Sequence, residues 1–257
     1  METVVSFQEI ATESFKVFVV THILYWVFVF LCPYVFPTVY PKLDAGKQSY
    51  WAASLISCVM SNVIAYKTFS MAYEFKMYYL YFEYDHYWTD VRARELCYII
   101  IGYFLSDLAV GFYYHDKWPG YMANYIHHIA GIIAFYHLAK WDMGHGMALS
   151  TFMLEITNGF NNLRWFLDTA GVKKNSTIYL ANGILFTLSF FIIRIVAFTF
   201  SGIHYFYILR DQFYKLPIEY VALTTSTYSV AASLQYYWFS KLSVGLYKML
   251  TKKKKKV

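Results

Sequence analysis

Apolar runs of roughly the length needed to cross a bilayer recur along this 257-residue chain, separated by short polar breaks. A spanning helix takes about 20 apolar residues. The pattern therefore predicts seven of them: residues 15–36, 51–71, 96–114, 121–139, 145–167, 177–201 and 218–239. Pro33, Pro37 and Pro41 close the first, since proline ends or kinks a helix. The fourth and fifth runs are the least apolar, because they carry His, Glu, Asn and Arg. Residues 72–95 mix aromatic and charged side chains and do not read as a span. They predict a belt at the membrane surface, or a cap over a cavity mouth. The expected fold class is all-α, a polytopic membrane helix bundle.

Composition strengthens this reading. Hydrophobic residues make up 58% and charged residues 15%, against about 25% charged in soluble domains. A soluble domain, a disordered chain and a coiled coil are excluded. The net charge is +6, but Lys252 to Lys256 supply five of those charges. The basic balance is a tail rather than a basic face, so nucleic acid is not an expected partner. Cys32, Cys58 and Cys97 match neither a disulfide framework nor a zinc spacing, and no metal site is expected. The N-terminus opens with Glu2, Glu9 and Glu13 and lacks a small-residue cleavage motif, so the first run is expected to be a retained anchor. The lysine tail should be cytosolic, which places the N-terminus on the lumenal side. The Asn175-Ser176-Thr177 sequon then faces the cytosol, unused.

Ionisable groups at membrane depth are costly and mark candidate sites. Asp107 sits mid-span with Tyr103, Gly111 and Tyr114 on one helical face. It is either functional or a hydrogen-bonded link between helices. His127 and His128 are adjacent, and neighbours on a helix point about 100° apart. One of them is expected to line a cavity wall well, with Asn124 a turn earlier. Histidine is the natural general base near neutral pH. Glu155, Asn158 and Asn162 share one face of the fifth span, and Thr157, Asn161 and Arg164 the opposite one. Such a helix belongs inside the bundle or beside a wet cavity. Arg164 could also snorkel beside Trp165. Asn182 and Arg194 fall in the sixth span, where Arg194 wants a carboxylate, Asp107 or Glu155, or a lipid phosphate. The hydroxyls between Thr224 and Ser233 predict close helix packing.

Gly102 to Asp107, His127-His128, Glu155 through Phe166 and Asn182-Gly183 through Arg194-Ile195 together resemble the TLC-domain family, which includes the ceramide synthases. The likeness is greatest to its small members outside the ceramide synthase branch. It covers roughly residues 42–242, leaving residues 1–41 as an N-terminal segment with the first helix and 243–257 as a basic tail. The resemblance implies a six-helix TLC domain around an intramembrane cavity for an acyl chain. It also implies roles for His127, His128 and Glu155, which with Asp107 are the catalytic candidates; the polar positions at membrane depth give Tyr103, Asn124, Asn158, Asn162, Arg164, Asn182 and Arg194 as ligand-binding ones. Ceramide synthases carry His-Asp-x-x-Asp where this chain has Leu154-Glu155-Ile156-Thr157-Asn158. One of the two carboxylates is thus replaced by an amide, which cannot carry the charge.

Two functions from different classes follow. One is a lipid- or acyl-chain-binding protein that influences membrane lipid composition. The other is a lipid N- or O-acyltransferase with acyl-CoA as co-substrate and the His127/His128 pair as base. A cargo receptor of the secretory pathway is a third reading. Lys254-Lys255-Lys256-Val257 resembles a dilysine retrieval signal, which implies an endoplasmic reticulum address and coat-protein recognition of Lys254 and Lys255.

Overall fold

The computed structural model describes residues 4–75 and 85–254. Residues 76–84 of the aromatic belt, and the end of the lysine tail with Lys255 and Lys256, lie outside the described residues.

Among the described residues every regular element is helical. The elements form seven rods, one for each predicted span. They are α1 (Phe7–Val35), α2 (Ala45–Glu74), α3 (Val91–Tyr114) and α4 (Tyr121–Trp141). A composite fifth rod follows, made of α5 (His145–Phe152), a 3₁₀ stretch (Met153–Thr157) and α6 (Asn158–Thr169). The sixth starts with α7 (Thr177–Ser189) and continues through a π segment (Phe190–Ala197), α8 (Phe198–Gly202) and a second π segment (Ile203–Ile208). After the short α9 (Arg210–Phe213), α10 (Ile218–Lys254) is the last element among the described residues. Among the described residues, four rods are long and apolar enough to cross a membrane on length and composition alone: α1, α2, α3 and the sixth. The other three carry the polar residues that make the site.

The rods begin where capping chemistry allows. Ser6, Asp44, Asp90 and Ser176 each accept a bond from a first-turn backbone N–H, satisfying donors that the helix leaves open. Several rods outrun their predicted limits. α1 starts at Phe7 rather than residue 15, and α10 runs well past residue 239. Glutamates and lysines tolerate helix at a membrane's edge, so hydropathy marks the membrane core and not the helix end.

α3 is the central rod and, of the four apolar spans, the most enclosed. Gly102 allows α1 to pass directly over it, since a Cβ there would overlap the Ser14 carbonyl oxygen. Tyr98 Oη donates to Glu9 Oε1 at 3.0 Å, and Tyr25 Oη to Ser49 Oγ at 2.8 Å. These bonds fix α1 to α3 and α2. On the other side Gly131 of α4 sits against the Phe104 ring.

The described part of the belt does not lie flat at the surface. Residues 85–90 fold onto the bundle end, where Gly144 N donates to the His86 carbonyl at 2.8 Å and Asp90 N to His145 Nδ1 at 2.9 Å. The His86 ring is fully buried and bonds the Tyr205 carbonyl through Nε2 at 2.9 Å. Burial pushes its pKa below the ordinary histidine value. Backbone pairing with the α4–α5 turn outweighs the interfacial preference of the aromatics. The turn can close because Gly144 adopts φ 69°, a left-handed conformation that a side chain would strain.

Candidate functional site

The opposite end of the bundle holds a cavity of about 480 Å³. α2, α3, α4, α6, the sixth rod and α10 all line it. Its rim carries Trp118, Pro119 and Gly120 from the α3–α4 turn, Arg164 of α6 and Lys241 of α10. Its floor is set by Tyr103, Asp107, His127, His128, Thr157, Asn158 and Arg194.

Both histidines face it, contrary to the expectation that only one would line the wall well. Side chains 100° apart can share a cavity this wide because each turns toward a different carboxylate. His128 Nδ1 lies 3.3 Å from Asp107 Oδ2, and its ring stacks on Phe104 at 4.3 Å between centroids. The contact is within ion-pair reach but off the line of a hydrogen bond. Asn124 Nδ2 approaches the same Asp107 oxygen at 3.5 Å. His127 Nε2 lies 3.9 Å from Glu155 Oε1, and Trp238 meets the His127 ring edge-on at 5.6 Å. The site thus contains two histidine–carboxylate pairs from three rods.

Arg194 holds the floor together. It is buried at 4% exposure in the middle of the first π segment, a helical variant that often accompanies functional sites. Its Nε donates to Thr157 Oγ1 at 2.6 Å, one terminal nitrogen to Gln235 Oε1 at 3.0 Å, and the other to the Leu154 carbonyl at 2.6 Å and Asn158 Oδ1 at 2.8 Å. Among the described residues no carboxylate lies within ion-pair distance of it. Asn158 stands between, accepting from Arg194 and donating from Nδ2 to Glu155 Oε2 at 2.7 Å. This corrects the expected direct pair with Asp107 or Glu155. An amide can donate and accept at once, whereas an aspartate at this position would set an oxygen against the Glu155 oxygen.

The fifth rod also departs from a regular helix. Asn158 N bonds the Glu155 carbonyl, leaving the Leu154 carbonyl to Arg194. The resulting 3₁₀ stretch has three residues per turn. The predicted opposite faces therefore merge, and Thr157, Asn158, Asn161, Asn162 and Arg164 all line the cavity. Asn162 also donates to the Ser54 carbonyl at 3.3 Å. Two candidates fall outside this lining, Glu155, which borders the crevice described next, and Asn182. Asn182 reaches sideways to the Phe160 carbonyl at 3.0 Å, tying α7 to α6.

Beyond His127 a narrow apolar crevice of about 40 Å³ continues between α3, α4, the fifth rod and α10. Phe104, Ala130, Gly131, Ala134, Leu154 and Ala231 line it, with Glu155 and Gln235 at its polar edge. Sequence reasoning missed Gln235, a lone amide in an apolar run and a direct partner of Arg194. It also missed Lys241, placed just past the expected seventh span. Among the described residues no group of three or more His, Cys, Asp or Glu is arranged to hold a metal ion. His137, His145 and Asp142 lie at the far end, engaged with Thr224, the Asp90 backbone and Arg94 respectively.

A family model described as TLC domain matches residues 47–244. The chain belongs to the TLC-domain family. Similar curated proteins include TLC domain-containing protein 4-B of Xenopus laevis, 28% identical over 219 residues, covering 81% of this chain and 79% of that protein. TLC domain-containing protein 4 of Homo sapiens is 27% identical over 154 residues, covering 60% and 58%. TLC domain-containing protein 4-B of Danio rerio is 25% identical over 224 residues, covering 84% and 81%. These relatives agree with a place outside the ceramide synthase branch. No solved structure matches the chain.

Proposed function

We propose that this TLC-domain membrane protein binds a lipid or acyl chain in the bundle cavity and thereby influences membrane lipid composition. One observation carries the reading: a polar chamber of about 480 Å³ continues past His127 into an apolar crevice. The chamber thus offers polar groups to a head, and the crevice an apolar wall to the start of a tail. Ligand sites are commonly apolar pockets with a few placed polar groups, and here those groups converge from several rods.

A second reading, acyl transfer with acyl-CoA as co-substrate, is favoured by the His128–Asp107 approach at 3.3 Å. A histidine backed by a carboxylate can take a proton from a hydroxyl or amine, and such contacts often tighten only on substrate binding. His127 would play the same part against Glu155. The deciding experiment is reconstitution in nanodiscs with acyl-CoA and candidate lipid acceptors, followed by mass spectrometry of bound lipid and products. Lipid that co-purifies unchanged, equally in His127→Ala and His128→Ala, supports binding without catalysis. Product that disappears in either variant refutes it in favour of acyl transfer.

The reading includes residence in the endoplasmic reticulum with the N-terminus lumenal, so that the cavity rim faces the cytosol. Replacing Lys254 and Lys255 by Ser should release the protein to later compartments; an unchanged location by microscopy would remove the retrieval argument.

A further inference from the structure

The rim of the cavity carries two cations without a counter-charge. Among the described residues, neither Arg164 nor Lys241 has a carboxylate within ion-pair distance. Their close partners are rings instead, Tyr179 at 5.9 Å and Tyr237 at 4.6 Å. Two charged donors therefore border one opening.

Their height above the floor follows from the helices that carry them. Arg164 comes six residues after Asn158 on α6, and Lys241 six after Gln235 on α10. Asn158 and Gln235 both grip Arg194. At 1.5 Å per residue, both cations stand roughly 9 Å from the level of the histidine–carboxylate pairs.

We propose that the rim binds the phosphate of a single-tailed glycerophospholipid, whose ester lies at the histidines and whose one tail is directed toward the narrow apolar crevice beyond His127. This rests on the lipid-binding reading above and names the class of lipid. The spacing selects it. About six bonds separate a glycerolipid's phosphorus from its ester carbonyl, a reach of roughly 8 Å at ordinary covalent bond lengths. In an acyl-CoA about fourteen bonds intervene, a reach of roughly 18 Å, which would carry the pyrophosphate well outside this rim. Arginine grips phosphate in fork geometry and lysine as a point charge. A neutral lipid would leave both cations unanswered.

The test uses the full chain in nanodiscs doped with equal amounts of 1-oleoyl lysophosphatidic acid, monoolein and oleoyl-CoA. After re-purification in detergent, retained lipid is measured by mass spectrometry. Lysophosphatidic acid should be retained at least about tenfold over monoolein, a difference of about 1.4 kcal/mol, and over oleoyl-CoA. Millimolar inorganic phosphate should not displace it. The double variant Arg164→Gln/Lys241→Gln should lose the preference to within about twofold, and Arg164→Lys/Lys241→Arg should keep it. Equal retention of lysophosphatidic acid and monoolein by the parent overturns this inference and leaves lipid binding standing. So does a preference that survives the double Gln variant, stronger retention of oleoyl-CoA, or displacement by phosphate alone. Retention of none of the three overturns the lipid-cavity reading as well.

Discussion

Arg194 is the residue on which the site's geometry depends most, and replacing it by Met measures that dependence. The thioether fills much of the arginine stem's volume, so the change removes charge and donors more than bulk. Four contacts disappear: to Thr157, Gln235, the Leu154 carbonyl and Asn158. Hydrogen bonds to charged groups contribute about 1.5–3 kcal/mol each, but four to one guanidinium do not add. Removing one partner from a buried charged network costs about 3–5 kcal/mol, so about 4 kcal/mol is expected. For a chain of this size each kcal/mol lowers Tm by about 2–4 °C, which predicts a fall of about 12 °C. The assay is tryptophan fluorescence during heating in detergent. Arg194→Lys keeps the charge without the fork and should fall about half as far. Adding Glu155→Gln to Arg194→Met removes the carboxyl that Asn158 links to the arginine, and should restore about 1–3 kcal/mol, the usual coupling within one network. A Tm within about 2 °C of the parent for Arg194→Met would refute the reasoning, as would strict additivity of the pair.

Two other outcomes follow from the packing. Gly102→Ala should push α1 off α3, because the new methyl meets the Ser14 carbonyl, with a cost of about 1–3 kcal/mol; an unchanged Tm and unchanged proteolysis of α1 would show that the seam is slack. The fold of residues 85–90 onto the bundle should weaken in acid. Burial holds the His86 pKa below its ordinary value, with Asp85 opposing the shift and His204 adding to it. The unfolded segment takes up a proton from about pH 6.5 downward, so stability is full above that pH and falls below it. Amide exchange of Gly144, whose N–H bonds the His86 carbonyl, should speed up at pH 5 beyond the intrinsic rate, and His86→Gln should reduce the response, the remainder coming from His145, whose Nδ1 accepts from Asp90 N only while unprotonated.

Hydropathy was enough to place seven rods, because an apolar run of membrane length is seldom tolerated by a chain that folds in water. The scattered polar residues of the site were equally legible, since each is expensive at depth. Periodicity failed at the fifth rod, where the face assigned to Thr157 and that assigned to Asn158 are one. At the break the Leu154 carbonyl accepts from the Thr157 hydroxyl and from Arg194, a residue far along the chain that local periodicity does not register. The adjacent histidines were judged by a single helix's angles, but the cavity is wide enough to meet both, with Asp107 beside His128 and Glu155 behind His127. Gln235 was invisible because one amide among apolar residues has no meaning until its partner is placed.

The seam at Gly102 bears on how the protein is made. α1 emerges from synthesis well before α3, the rod it packs against, and domains assemble as their parts appear. Until then only α2, which follows it, can hold it, through the Tyr25–Ser49 bond. The chemistry of α1 itself permits the wait: Thr21 Oγ1 bonds back to the Val17 and Phe18 carbonyls, Trp26 Nε1 donates to His22 Nε2, and Lys16 pairs with Glu13. α1 is thus a helix that can wait, docking late onto a glycine groove that the rest of the bundle carries to it.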